Sequence, residues 1–166
     1  MSERAWRHAF LILQAVIAVF VFVTSTALPP VVASHFGPAG AADGFMARPV
    51  YTAFLLAIVV GVPLCLAFLP ASLLRKRGDD INLPNRAHWL APERREATLQ
   101  FLRMYGLWFA TAVALFLAYV HWLVVQANRV QPPVLSSAHM IGALVAFFVF
   151  LVVWLFVLFR RFRFPK

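Results

Sequence analysis

The sequence is poor in charged residues, and in acidic residues above all. Charged residues make up 13% of the 166 residues, and only 6 residues are Asp or Glu. A soluble domain has about 25% charged residues. Hydrophobic residues reach 63%, which is more apolar surface than a soluble core can bury. We therefore predict that lipid replaces water around most of the chain, and the length allows one domain.

Cysteine and catalytic motifs are scarce as well. Cys65 is the single cysteine, so no intramolecular disulfide can form, and its apolar surroundings predict a buried packing thiol. The sequence contains no G-x-S-x-G, phosphate-binding loop, H-E-x-x-H or dinucleotide-binding pattern. We therefore predict that the protein is not an enzyme.

Four apolar segments have the length, about 20 residues, that a helix needs to cross roughly 30 Å of hydrocarbon. They cover approximately residues 9–28, 50–74, 104–127 and 138–159. Each is predicted to be a helix, because an open strand edge leaves backbone groups unsatisfied in lipid. The predicted fold is an all-α, four-helix transmembrane bundle in which residues 29–49 form an ordered loop between helices 1 and 2.

The basic residues predict the orientation of the bundle. All of the 15 Lys and Arg residues except Arg48 and Arg129 fall at the two termini or in the loop at 75–103. Because Lys and Arg mark the cytoplasmic side, both termini and this loop are predicted to be cytoplasmic, and the loop at 29–49 faces outward. Contact with anionic lipid explains the net charge of +9, and no motif indicates a nucleic-acid partner.

The cytoplasmic loop is predicted to contain the start of a helix. Pro92 followed by Glu93 places a proline at the first helical position and an acid near the positive end of the helix dipole. This helix is expected to run on into the third span. Trp89 and Leu90, just before it, are interpreted as lipid-interface residues, and the alternative is a docking surface for a cytoplasmic partner.

Small residues recur at every fourth position on the third and fourth spans. Such stripes let two helices approach closely in a membrane. Because the turn between the two spans is short, we predict that they form a tight antiparallel hairpin. The residues concerned are Gly106, Ala110, Ala114, Ala118, Gly142 and Ala146.

The loop after the first span carries the most specific pattern in the chain, LPxxVxxHFxxxGxxDG followed by a basic residue. The matching residues are Leu28, Pro29, Val32, His35, Phe36, Gly40, Asp43, Gly44 and Arg48. The pattern resembles a bacterial membrane-domain family of unknown function that is also found in Sdp-type toxin-immunity proteins. The resemblance implies a bacterial inner-membrane location. Immunity proteins of this type have additional spans that the chain lacks.

The same loop can also be interpreted from its residue types alone. Proline stops the first helix, and glycine permits tight turns with positive φ. Asp43 before Gly44 is a turn signal. On this interpretation the loop is a compact re-entrant cap in which His35 and Asp43 bond to loop amides.

Four ionisable residues are predicted to lie near the outer membrane surface, namely His35, Asp43, His121 and His139. His121 is about six residues, or roughly 9 Å, from the outer end of its span. Imidazoles with one carboxylate suit zinc or copper. A haem between His121 and His139 is an alternative that no cytochrome signature supports. A pH-responsive hydrogen-bond network is the third interpretation.

Three functions remain open from the sequence. The first is a non-enzymatic accessory protein of the immunity, sensing or partner-assisting type, with the outward loop as its recognition cap. Its partners would be lipid and another membrane protein or a peptide. The second is a copper- or zinc-handling protein. The third is a small oligomeric transporter, motivated by Gly61 and Pro63, which predict a kink in the second span.

Overall fold

The computed structural model describes residues 3–76 and 83–163, and the side chains of these residues except 70–76. Predictions that concern residues 1–2, 77–82 or 164–166, including part of the basic loop and tail, lie outside the described residues. The elements are α1 Glu3–Thr26, β1 Val31–Phe36, β2 Ala42–Ala47, α2 Arg48–Lys76, α3 Arg86–Trp89, α4 Pro92–Ala127 and α5 Ser137–Arg163.

The four long helices α1, α2, α4 and α5 are each long and apolar enough to cross a membrane. The chain is therefore a multi-pass membrane protein, and the predicted four-helix bundle is confirmed. α4 begins at Pro92 with Glu93 in its first turn, as the sequence predicts. α2 continues as one helix through Gly61 and Pro63. Cys65, predicted to be buried, is exposed instead, because it lies on the side of α2 that faces away from the other helices.

Three of the helices form the packed interior. α1, α2 and α4 meet in two apolar layers, and α2 makes its most extensive contact with α4. One layer contains Phe10, Ala67, Leu107 and Ala110. The other contains Ile17, Val21, Val59 and Ala114. α5 lies outside these layers, and Phe162 is the one described residue of α5 that is fully buried.

The predicted close packing of small residues between α4 and α5 is wrong. Ala110 and Ala114 pack against α1 and α2, and Ala118 joins the second layer. A Cβ added to Gly106 or Gly142 would meet nothing within 4 Å. Gly142 and Ala146 line an open groove between α4 and α5.

Aromatic rings explain why α5 stays at a distance from α4. Phe147 of α5 stacks on Phe116 with ring centroids 4.7 Å apart and also lies against Phe109. Trp154 stacks on Tyr105 at 4.8 Å. Rings between two helices hold the axes further apart than facing glycine and alanine would. A small-residue stripe indicates that a helix can be approached closely, but it does not say by which neighbour.

Side chains that bond to backbone carbonyls fasten α5 at its far end. The Tyr105 hydroxyl donates to the Trp154 carbonyl at 2.9 Å, and the Trp154 indole donates back to the Tyr105 carbonyl at 3.3 Å. The Trp89 indole donates to the Phe162 carbonyl at 3.0 Å. Trp89 therefore satisfies the C-terminal end of α5, a contact within the protein that the interface interpretation did not anticipate.

The ordered loop between α1 and α2 is a β-hairpin, which the sequence analysis did not specify. β1 and β2 are antiparallel, with Val32 opposite Met46 and Ala33 opposite Phe45. Successive side chains alternate between two faces. Val32 is fully buried in a core cluster with Leu28, Tyr51 and Leu123, and Met46 packs against that cluster.

Candidate functional site

The hairpin is fixed to α4 by the side-chain amide of one residue. Asn128, which follows the last residue of α4, accepts a hydrogen bond from the Ala33 N–H at 2.9 Å and donates one to the Ala33 carbonyl at 2.9 Å. Asn128 is 7% exposed and Ala33 is fully buried. Buried backbone groups must be paired. Asn128 therefore satisfies both backbone polar groups of Ala33.

Arg48 fixes the hairpin to α1. Its guanidinium Nη1 donates to the carbonyls of Thr26 and Leu28, at 3.1 Å and 2.9 Å. The last carbonyls of a helix have no partner within the helix and favour a nearby cation. The basic residue of the sequence pattern therefore closes the C-terminal end of α1, and its own N–H donates to the Pro30 carbonyl at 2.9 Å.

The connection between α4 and α5 fixes the tip of the hairpin. The Leu135 N–H donates to the Gly40 carbonyl at 2.8 Å, and Ala41 pairs with Val134. Gly40 has a φ of +83°, and a Cβ there would lie 2.2 Å from the Leu135 carbonyl oxygen. Only glycine fits this position, which explains the Gly40 of the sequence pattern.

The face of the hairpin that points away from the helices is exposed. We call it the exposed face and define it by Val31, His35, Asp43 and Phe45. His35 and Asp43 join their side chains by a 2.5 Å contact between Nδ1 and Oδ1, with side chains 75% and 53% exposed. The prediction that both bond to loop amides is wrong. The strand register is irregular on both sides of His35, which pairs with Gly44, and the neighbouring Asp43 has no partner in the register, so its side chain meets His35 directly.

Two glycines keep space around this His–Asp pair. A Cβ on Gly44 would lie 2.7 Å from the Cβ of His35, a distance that real Cβ atoms do not adopt. A Cβ on Gly37 would lie 3.3 Å from the Asp43 carboxylate. Gly44 of the pattern is therefore required by the position of His35 itself.

His121 lies in the interior, and its partners differ from those that its depth predicted. It is fully buried. Its Nε2 lies 2.7 Å from the Thr24 hydroxyl, and its Nδ1 lies 2.9 Å from the Tyr51 hydroxyl. These bonds join α4 to α1 and α2 in one cluster, the Thr24–His121–Tyr51 cluster.

The donor and acceptor of each hydrogen bond in this cluster follow from the number of hydrogens that each group carries. The Thr24 hydroxyl donates its single hydrogen to the Phe20 carbonyl at 2.6 Å, so its oxygen accepts from the Nε2–H of His121. A neutral imidazole with hydrogen on Nε2 has an acceptor at Nδ1. The Tyr51 hydroxyl then donates to Nδ1. Every polar atom of the three side chains has a partner in this arrangement, which is the condition for burying them.

The predicted metal-ligand set is not brought together. Both ring nitrogens of His121 are engaged in the interior, whereas the His139 ring bonds to Ser136 at 2.7 Å on the exposed start of α5. No group of three or more His, Cys, Asp or Glu side chains suited to a metal ion occurs among residues 3–76 and 83–163. The set fails because α5 is held away from α4 and the hairpin turns His35 outward.

Sequence reasoning missed Asn128, Thr24 and Tyr51. Thr24 and Tyr51 are polar residues at the hairpin ends of apolar spans, and Asn128 directly follows one. Polar groups in or beside apolar spans need partners, so their presence could have been noticed. Their pairing could not, because the partners are 70 to 97 residues apart.

Comparison of the chain with known proteins adds no relative. No family model, curated protein or solved structure matches it. The resemblance carried by the residues between Leu28 and Arg48 therefore stays a prediction.

Proposed function

We propose that the protein is a non-enzymatic accessory membrane protein that uses the exposed face of its hairpin as a recognition cap for another membrane protein or a peptide. The observation that carries the proposal is the contrast between the two faces of the hairpin. One face and the backbone are fixed by Val32, Asn128 and Arg48. The other presents the His35–Asp43 pair beside apolar side chains.

Stability does not account for the His–Asp pair. An ion pair between solvent-exposed side chains contributes about 0–1 kcal/mol, and both side chains are more than half exposed. Two residues without side chains, Gly44 and Gly37, nevertheless lie beside the pair, and a Cβ at either position would crowd it. A pair that contributes little to folding and is given this much space is suited to contact with a second molecule.

The apolar side chains of the exposed face support the same proposal. Phe45 is 57% exposed and Val31 is 60% exposed. Aromatic anchors surrounded by a few polar groups are typical of protein recognition sites. The orientation predicted from the basic residues would place this face outside the cytoplasm, with both termini inside. The resemblance to immunity-type membrane proteins adds a bacterial inner-membrane location.

Site-specific photocrosslinking tests the proposal. A benzoylphenylalanine at position 45 in the protein's own membrane should form one adduct of defined mass. The matched control is the same probe at Phe156, which is 62% exposed on α5. The combined change His35→Ala and Asp43→Asn should abolish the position-45 adduct, while Arg129→Ala should leave it intact.

Two results would contradict the proposal. One is the same set of adducts from positions 45 and 156, which would mean that position 45 meets only bulk lipid and passing proteins. The other is a position-45 adduct that survives loss of both His35 and Asp43. Thermal unfolding in detergent should be unchanged by the double substitution, so that loss of the adduct reports recognition and not folding.

A further inference from the structure

A cavity between α1 and α2 lies where the hairpin joins the two helices. It has a volume of about 520 Å³, within the range of small-molecule sites, about 300–1,000 Å³. Its lining combines polar residues at one end, Thr26, Arg48 and Thr52, with Phe22, Ala53 and Leu56 further along the helices. None of the residues that line it is acidic.

Arg48 gives the polar end a positive charge. Its Nη1 donates to two carbonyls, whereas its Nε and Nη2 have no partner within the described residues. α2 begins at Arg48, so the positive end of the helix dipole lies at the same place. A guanidinium beside a helix N-terminus favours an anion with several oxygen atoms.

Two of the three hydroxyl groups that line the cavity donate to backbone carbonyls, and the third, that of Ser25, does not. The Thr26 hydroxyl donates to Val23 and the Thr52 hydroxyl to Arg48. Ser25 lines the same cavity, is 1% exposed, and has a hydroxyl without a hydrogen-bond partner. Buried polar groups without partners are rare in folded proteins.

The depth of the cavity matches the structure of a lipid. Arg48 and Thr26 are at the ends of their helices, where the headgroups of a bilayer lie. Leu56 is eight residues further along α2, roughly 12 Å deeper at 1.5 Å per residue. The charged end therefore lies at the level of phosphate groups and the apolar end at the level of acyl chains.

We propose that this cavity binds one anionic phospholipid from the leaflet at the hairpin end, with its phosphate on Arg48 and the upper part of one acyl chain along Phe22, Ala53 and Leu56. The shared chemistry is a phosphate anion, which a free phosphate could also provide. The apolar wall favours the lipid as its source. This inference does not depend on recognition by the exposed face of the hairpin.

Two variants separate the site from general lipid contact. Ala53→Phe fills the apolar end of the cavity without touching Arg48. Ala57→Phe is its matched control, because Ala57 is also exposed but lies one turn deeper and does not line the cavity. Arg48→Gln removes the charge but also the bonds to the end of α1. Ala53→Phe therefore keeps the test independent of any loss of folding.

The experiment uses the full chain in phosphatidylcholine vesicles that carry a trace of phosphatidylglycerol. The phosphatidylglycerol has a diazirine on one acyl chain, in the part nearest the headgroup. Crosslinks mapped by mass spectrometry should fall on residues 22–26 and 53–56. Arg48→Gln should lower this signal roughly tenfold, about the loss of one charge-assisted contact. Ala53→Phe should also lower it, because the ring occupies the place proposed for the acyl chain. Ala57→Phe should leave it unchanged.

Three results would overturn the proposal. Equal labelling of the Ala53→Phe and Ala57→Phe proteins would mean that the label reports bulk lipid. Equal labelling by a diazirine phosphatidylcholine would remove the role of the anionic charge. Displacement of the label by inorganic phosphate at millimolar concentration would identify a site for a free anion and not for a lipid.

Discussion

α4 and α5 follow one another in the chain and both cross the membrane, yet they are buried to very different extents. α4 has fully buried residues along most of its length, whereas Phe162 is the one such residue in the described part of α5. α5 is nevertheless the more uniformly apolar of the two, from Met140 to Phe159. In lipid, apolar surface gains little from burial, because acyl chains are as apolar as leucine. Position in this bundle therefore does not follow hydrophobicity.

The polar contacts show the same division. α4 and the residue that follows it supply His121, which bonds to α1 and α2, and Asn128, which bonds to the hairpin. α5 is attached chiefly through its own carbonyls, at Trp154 and Phe162. α4 is therefore the helix that organises the bundle, and α5 is fastened to it. Substitutions along α4 should show a gradient of effects that tests this division.

The largest effect is expected for Asn128→Ala. It leaves the buried N–H and carbonyl of Ala33 unpaired, and each such group costs about 1–3 kcal/mol. We expect a loss of roughly 2–4 kcal/mol in the free energy of unfolding, measured by tryptophan fluorescence during unfolding in mixed micelles. Arg129→Ala, an exposed neighbour, should change it by less than about 0.5 kcal/mol. Equal effects of the two variants would show that Asn128 does not anchor the hairpin to α4.

The next effect is expected for His121→Ala. It leaves the buried Tyr51 hydroxyl without an acceptor and opens a cavity beside Phe20. Hydrogen bonds between membrane helices contribute at most about 1.7 kcal/mol each, so a loss of about 2–3 kcal/mol is expected once the cavity is included. His139→Ala on α5 is the control and should be near neutral. The combination with Tyr51→Phe should be less than additive, and strict additivity would show that the two side chains do not interact.

The smallest effect is expected for Tyr105→Phe, which removes one bond from α4 to α5. A single interhelical hydrogen bond in a membrane contributes about 0.6 kcal/mol on average. Tyr119→Phe is the control, since the Tyr119 hydroxyl has no hydrogen bond within the described residues. A loss above that of His121→Ala would reverse the comparison and make α5 a full member of the core.

The sequence predicts the number and approximate bounds of the helices because length and composition alone determine what can cross lipid. It also predicts the start of α4, where Pro92 and Glu93 act locally. It does not predict the β-hairpin as such, because Val31 and Val32 are both apolar and the glycines suggest turns. The alternation of buried and exposed side chains along β1 is seen only in the structure, where Val32 is buried and Val31 is exposed.

The candidate site divides in the same way. His35 and Asp43 are close in sequence, so their proximity could be anticipated, although their direct contact depends on the register of the strands. Residue counting predicts a depth for His121 but not its partners, because rotation of a helix about its axis decides which neighbour a side chain meets. Helix rotation also explains why Ala110 and Ala114 are predicted to face α5. For the same reason, residues that the fold separates are predicted to form one metal site.

The amide of Asn128 has a consequence for association between molecules. A two-stranded hairpin has two edges with unpaired backbone groups, and such edges are templates for aggregation. Asn128 offers one acceptor and one donor to Ala33, as a neighbouring strand would, and Pro133 and Leu135 pair with the backbone around the turn. One side chain and one short connection thus take the place of a third strand. In the plane of a crowded membrane, copies of this protein are therefore protected at these points against edge-to-edge β-strand pairing.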